Sequence, residues 1–202
     1  YVFRFHPLIL KAKELIKNEL IGKIISISAD FNIMLPPGEN FRYQKNLSGG
    51  GALRDLGTHM IDLLRFFGGE IEQITGFTDN VIFKGEVDDF SAGIAKFKNS
   101  GYGRFCVSFN SEKAFNRIEI LGYKGSIAIE NVIVRKHIPA KLIIDLVGEK
   151  KKAFRGRTPK MLLLLKEFQN SILKGEYPKP AGKEGVINME IMERLEKLNG
   201  IN

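Results

Sequence analysis

The run IEQITGFTDNVIFKGEVDDFSAGIAKFKNSGYGRFCVSFN, residues 71–110, decides the fold class. Its three segments rich in β-branched and aromatic residues, 71–83, 89–98 and 102–110, read as strands parted by turn residues. The tetrapeptide KNSG (98–101) between the second and third is far too short for the crossover that parallel strands need, so sequential neighbours should be antiparallel. Three further strand-like segments follow, RIEILG (117–122), SIAIE (126–130) and KLIIDLV (141–147), with GYKG (122–125) as another turn.

Upstream, IISISADFNI (24–33) alternates: Ile25, Ile27, Ala29, Phe31 and Ile33 should face a core, and Ser26, Ser28, Asp30 and Asn32 the other way. HPLILKAKELIKNELIG (6–22) has apolar residues at helical spacing, Pro7 near its start and Gly22 at its stop. Residues 52–67 form a second expected helix, and 159–174 and 183–198 two more. The expected class is α+β, a mostly antiparallel open β-sheet of six or more strands with helices packed on one face. The polar sheet face is either wet or covered by a second copy.

Composition narrows the function classes. A chain of 202 residues, 44% hydrophobic and 27% charged, can bury a core, and its reading is one domain over residues 1–202. It contains no apolar run long enough to span a bilayer. The opening YVFRFHPLIL reads as the middle of a longer protein rather than a secretory signal. The single cysteine, Cys106, cannot form an internal disulfide, which favours a reducing, cytoplasmic setting. Net charge is +8, and EKKKAFRGR (149–157) concentrates it, but without a nucleic-acid motif this stretch reads as a solvated loop. Asn46 in NLS is a formal glycosylation sequon with no secretion signal to make it relevant.

Chemistry concentrates at SGGGALRDLGTHMIDLLRFFGG (48–69). Gly49, Gly50 and Gly51 leave the backbone bare just before a helix, a poor start on propensity alone. On the helix, Asp55, His59 and Asp62 are spaced four and three apart and share a face, opposite Leu53, Leu56, Met60, Leu64 and Phe67. Phe66 and Ile61 fall off that apolar stripe, so the helix should be covered on more than one side. A carboxylate beside an imidazole raises its pKa from about 6.5 and fixes its tautomer, leaving a base for a hydroxyl proton. A solvent-exposed helix ion pair is the simpler alternative. A metal site is not expected, since no further ligand is marked and His6 and His137 look unrelated to the stripe.

The segment SGGGALRDLGTHMID resembles the G-G-G-x-L-x-D-x-G-x-H-x-x-D motif of the glucose-fructose oxidoreductase/inositol dehydrogenase (Gfo/Idh/MocA) family of NAD(P)-dependent dehydrogenases. FRFHP (3–7) with the following helix and LIGKI (20–24), and LLLLKEFQNSILKGEYPKP (162–180), resemble the family in the same order. The resemblance implies a C-terminal substrate-binding domain with a fold like that of glyceraldehyde-3-phosphate dehydrogenase. It implies His59 as general base and Asp55 as its helper, Asp62 as a contact to substrate hydroxyls or as a residue that orients the helix, Arg4 as a substrate contact or a structural salt bridge, Tyr43 and Arg42 as further substrate contacts, and Gly49, Gly50 and Gly51 against the nicotinamide. It further implies NAD or NADP, held mainly by an N-terminal cofactor domain, a sugar- or cyclitol-like alcohol as substrate, and a homo-oligomer formed through the sheet face. Neither the glycine fingerprint nor the Glu-Lys-Pro motif of that cofactor domain occurs here; GYGRFC and GGGALR both fail the fingerprint. Arg54 and Thr58 stand where relatives often carry small or apolar residues. A non-catalytic ligand-binding or oligomerisation domain of the same fold is the alternative, and nucleic-acid binding through 149–157 a more distant one.

Overall fold

The computed structural model describes residues 1–133 and 138–200; His137 lies outside the described residues. After a 3-10 turn, Val2–Phe5, the elements in chain order are α1 (Pro7–Lys17), β1 (Ile24–Met34), α2 (Lys45–Ser48), a π-helical turn Leu53–Gly57, α3 (Thr58–Gly68), β2 (Ile71–Asp79), β3 (Phe90–Phe97), β4 (Tyr102–Ser108), β5 (Asn110–Gly122), β6 (Gly125–Glu130), β7 (Ala140–Leu146), β8 (Lys152–Gly156), α4 (Lys160–Lys174) and α5 (Gly182–Leu198). The strands form one sheet in the order β2-β3-β4-β1-β5-β6-β7-β8.

The sheet is mostly antiparallel, as the short turns require, with one parallel pair, β1 with β4. Those two strands are separated by α3 and the β2–β3 hairpin, which is ample chain for a parallel return. Reading the register across Ala29 joins Phe105, Gly93, Ile118, Ile129 and Leu142 on one face. That face is covered: α3 packs on β1 and β4, α5 on β2, and α1 on β6, β7 and β8. The expectation of helices on one face holds for these three. Helix α4 departs from it, packing on the N-terminal 3-10 turn instead of the sheet.

Local chemistry explains the boundaries. The His6 side chain accepts a hydrogen bond from the Leu8 amide and Pro7 follows it at the first helical position, so α1 starts there. In β1, Ile27, Ala29 and Phe31 are buried as the alternation predicts, whereas Ile25 is 48% exposed. A register shift between Ile24 and Ser26 turns Ile25 out of phase. The strand expected over 71–83 stops at Asp79, because the Asp89 carboxylate accepts the amides of Val81, Ile82 and Phe83 and folds that segment into a turn.

The stretch 149–157, expected as a solvated loop, contains β8. It is an edge strand whose Lys152 and Arg155 suit an unpaired edge, and Phe154 lies under the Lys11 ammonium of α1 at 4.4 Å. Among the described residues, no helix is long and apolar enough to cross a membrane.

Candidate active site

The helix expected over 52–67 is two pieces. A π-helical turn over Leu53–Gly57 precedes α3, and its wider winding breaks the four-residue spacing on which the Asp55–His59 pairing was reasoned. Asp55 accepts a hydrogen bond at 2.9 Å from Arg42 Nε, both groups being about one-third exposed. Asp55 still acts on His59 through its charge, but burial outweighs it.

The apolar stripe is buried as expected, and so are Ile61, Leu63, Asp62 and Arg65, so α3 is covered on nearly every side. His59 stands among aromatic rings: Phe3 meets it edge-on with centroids 4.7 Å apart, and Tyr1 at 6.2 Å. Its Nδ1 is buried with no hydrogen-bond partner among the described residues. Burial, opposed in part by the Asp55 carboxylate, pushes its pKa down to about 4. The expected upward shift is therefore reversed: desolvation outweighs the carboxylate, which is turned toward Arg42. At neutral pH the imidazole is uncharged and able to accept a proton.

The glycines have structural work. A Cβ on Gly51 would lie 1.8 Å from the Asp88 carbonyl oxygen, so only glycine allows the two backbones to approach. Gly49 is left-handed, with φ +73°, and ends α2. The Asp88 carboxylate accepts the amides of Gly51 at 2.8 Å and Leu53 at 2.7 Å, and its carbonyl accepts Ala52 N at 3.0 Å. A carboxylate from the β2–β3 loop thus caps the helical segment that carries Asp55 and His59 from outside. The sequence reading missed Asp88; the only local signal is the acidic pair in VDDF, which resembles any polar loop.

Asp62 and Arg4 hold each other rather than presenting themselves to a ligand. Arg4 donates through Nε and Nη2 to the two Asp62 oxygens at 2.8 and 2.6 Å, Asn188 of α5 donates to Oδ1 at 3.2 Å, and Asp62 is 1% exposed. Glu184 of α5 pairs with both Arg4 and Arg65, at 3.5 and 2.9 Å. This network ties the N-terminal turn, α3 and α5 together, the salt bridge expected as the alternative for Arg4 and the orienting role expected as the alternative for Asp62. Tyr43 is likewise buried: its hydroxyl donates to Leu35 O at 2.7 Å, its ring packs on Phe109 and Phe83, and burial with Asp89 and Asp88 raises its pKa to about 12. Arg42 remains at the surface beside Asp55. Arg54 donates to Glu196 at 2.7 Å and fixes α5 to the start of the motif.

The buried imidazoles give the fold an acid-sensitive range. His59 and His6 both titrate near 4 when folded and about 6.5 when unfolded, so the unfolded chain binds more protons between those values. The imidazole contribution to stability should therefore be fully present above about pH 6.5 and fall as the pH drops toward about 4, by up to roughly 3 kcal/mol for each imidazole. Asp62 and Asp88, whose carboxyls burial raises, take up protons more readily in the fold and blunt the loss at the acid end. Urea midpoints measured across this range should decline; a flat profile would contradict the buried neutral imidazoles.

Residues 9–128 match the sequence model of the GFO/IDH/MocA C-terminal domain. Among curated proteins, D-xylose 1-dehydrogenase (NADP(+)) 2 of Haloferax volcanii is 29% identical over 121 residues, 59% of this chain and 36% of that protein. Levoglucosan dehydrogenase of Pseudarthrobacter phenanthrenivorans is 29% identical over 158 residues, 62% of this chain and 40% of that protein. Among solved structures, levoglucosan dehydrogenase in complex with NADH and levoglucosan has a TM-score of 0.87 at 21% identity, covering 98% of this chain and 62% of that one. The aldose-aldose oxidoreductase from Caulobacter crescentus complexed with glycerol has a TM-score of 0.86 at 20% identity, covering 98% and 60%. The alignments thus span well under half the length of these curated relatives.

Proposed function

The chain belongs to the GFO/IDH/MocA family, and from that premise we propose that it is the substrate-binding and catalytic domain of a dehydrogenase that oxidises a sugar- or cyclitol-like secondary alcohol with NAD or NADP. The observation that carries this reading is His59: an imidazole held neutral by burial, flanked by Phe3 and Tyr1, with an unpartnered Nδ1. An orphaned buried nitrogen in a ring-lined position fits a site completed by a ligand. NAD(P), when bound, supplies the hydride acceptor.

The chain's own part is the proton. As hydride leaves the carbinol carbon, the hydroxyl O–H bond breaks, its electron pair forms the carbonyl, and His59 takes the proton. Burial disfavours the resulting imidazolium, and the nearby Asp55 carboxylate offsets part of that cost. Arg42, paired with Asp55, lies where it can adjust that charge or meet a substrate hydroxyl.

Partners belong to the same proposal. An N-terminal cofactor domain is the intended occupant of the α4 surface, where Met161, Leu165, Phe168 and Ile172 are half or more exposed. Self-association is assigned to the uncovered sheet face, where Phe77, Ile94 and Tyr102 flank the Arg104–Asp30 ion pair. A half-buried lone cysteine suits a cytoplasmic location.

The test is nicotinamide reduction with a panel of neutral and acidic sugars, D-xylose and levoglucosan included, by this chain alone and by a protein joining it to a cofactor domain. Turnover only in the joined protein is expected. Sugar binding without turnover in either would favour the non-catalytic alternative.

A further inference from the structure

A cavity of about 330 Å³ lies where the N-terminal turn meets the start of α4, lined by His6, Asn131, Val132, Arg157, Thr158 and Lys160 among others. Its polar equipment is weighted toward donors. His6 is almost fully buried, and its Nδ1 accepts the Leu8 amide at 3.2 Å, so in the neutral ring Nε2 carries the hydrogen. The Lys160 ammonium donates to Val132 O at 2.9 Å and keeps two further hydrogens. Arg157 and the Thr158 hydroxyl stand beside it, and among the described residues no Asp or Glu lines the cavity. Helix α4 begins there without a side-chain cap, so its positive end faces the same region.

A cavity that carries the Lys160 ammonium and, among the described residues, no carboxylate suits an oxyanion. Its position adds meaning. Lys160 Nζ lies 5.3 Å from the centroid of the Phe3 ring, and that ring is the one that meets His59 at 4.7 Å. One aromatic side chain therefore touches both the proposed base and the cationic cavity.

We propose that this cavity binds the anionic group, carboxylate or phosphate, of a charged sugar. The sugar part of this claim rests on the dehydrogenase reading above; the anion part does not. Lys160 supplies the main charge and His6 a neutral donor. The burial that lowers both pKa values leaves an ammonium only partly hydrated and ready to exchange water for an anion.

The test is direct binding to the 202-residue chain, followed by amide chemical shifts, with gluconate, glucose 6-phosphate and glucose as probes. Saturable shifts at His6, Thr158 and Lys160 are expected with at least one charged sugar, and glucose should bind tenfold or more weakly. Which charged sugar binds tells a carboxylate from a phosphate. Lys160→Met should lose at least tenfold in affinity and Lys160→Arg should retain most of it, which separates lost charge from lost folding. Binding is read without cofactor or turnover, so a failed dehydrogenase assignment would not be mistaken for a failed anion site. Equal binding of all three sugars, no saturable shift at these residues, or full affinity in Lys160→Met would overturn the proposal.

Discussion

His59→Gln, introduced into a protein that joins this chain to a cofactor domain, is expected to lower kcat for sugar oxidation by about a hundred- to ten-thousand-fold. Glutamine has roughly the shape to fill the space against Phe3 and Tyr1, but its amide does not accept a proton near neutral pH. The loss should fall on kcat and kcat/KM alike, because the proton moves only in the transition state. KM and the melting temperature should change little. Asp55→Asn should give a smaller loss of the same kind, since Asp55 acts on the imidazole through charge and is mainly engaged with Arg42. Full activity in His59→Gln would remove the proton acceptor from the account.

Asp62→Ala should be the most damaging stability change in the motif, by about 3–5 kcal/mol. It removes the carboxylate that takes two hydrogen bonds from Arg4 and one from Asn188, leaving a guanidinium that is mostly enclosed without its main partner. Glu184, 3.5 Å from Arg4 and already paired with Arg65, can compensate only in part. The double variant Asp62→Leu with Arg4→Met, apolar on both sides, should recover much of the loss, because the desolvated charges go together. Urea denaturation of the two proteins decides this. A cost below about 1 kcal/mol for Asp62→Ala, the level of a surface ion pair, would contradict the network.

Much of the fold is local and so legible in the sequence. The alternation at Ile27, Ala29 and Phe31, the helical spacing of α1, α4 and α5, and the short turns that join β3 to β4 and β5 to β6 each depend on neighbours a few residues away. What escaped depends on distant partners. The parallel pairing of β1 with β4 is set by how α3 and the β2–β3 hairpin return across the sheet. The edge strand β8 looks solvated because a charged edge and a charged loop share a composition.

The candidate site divides in the same way. Its base is visible as a motif, and the coverage of α3 is foreshadowed by Phe66 and Ile61 lying off the apolar stripe. The use of Gly51 is not visible, since its close contact is with Asp88, thirty-seven positions later. Nor are the partners of Asp62 and Arg54, which come from Asn188 and Glu196 in the last helix. A single π-helical turn then changed the Asp55–His59 relation that regular helical spacing implied.

The most direct measurement is the structure of the ternary complex of the joined protein with a substrate sugar and nicotinamide cofactor. An imidazole nitrogen of His59 should lie about 2.6–3.2 Å from the oxygen on the carbon that gives up hydride. A reacting hydroxyl beyond hydrogen-bond reach of His59, with another base in its place, would contradict the central assignment.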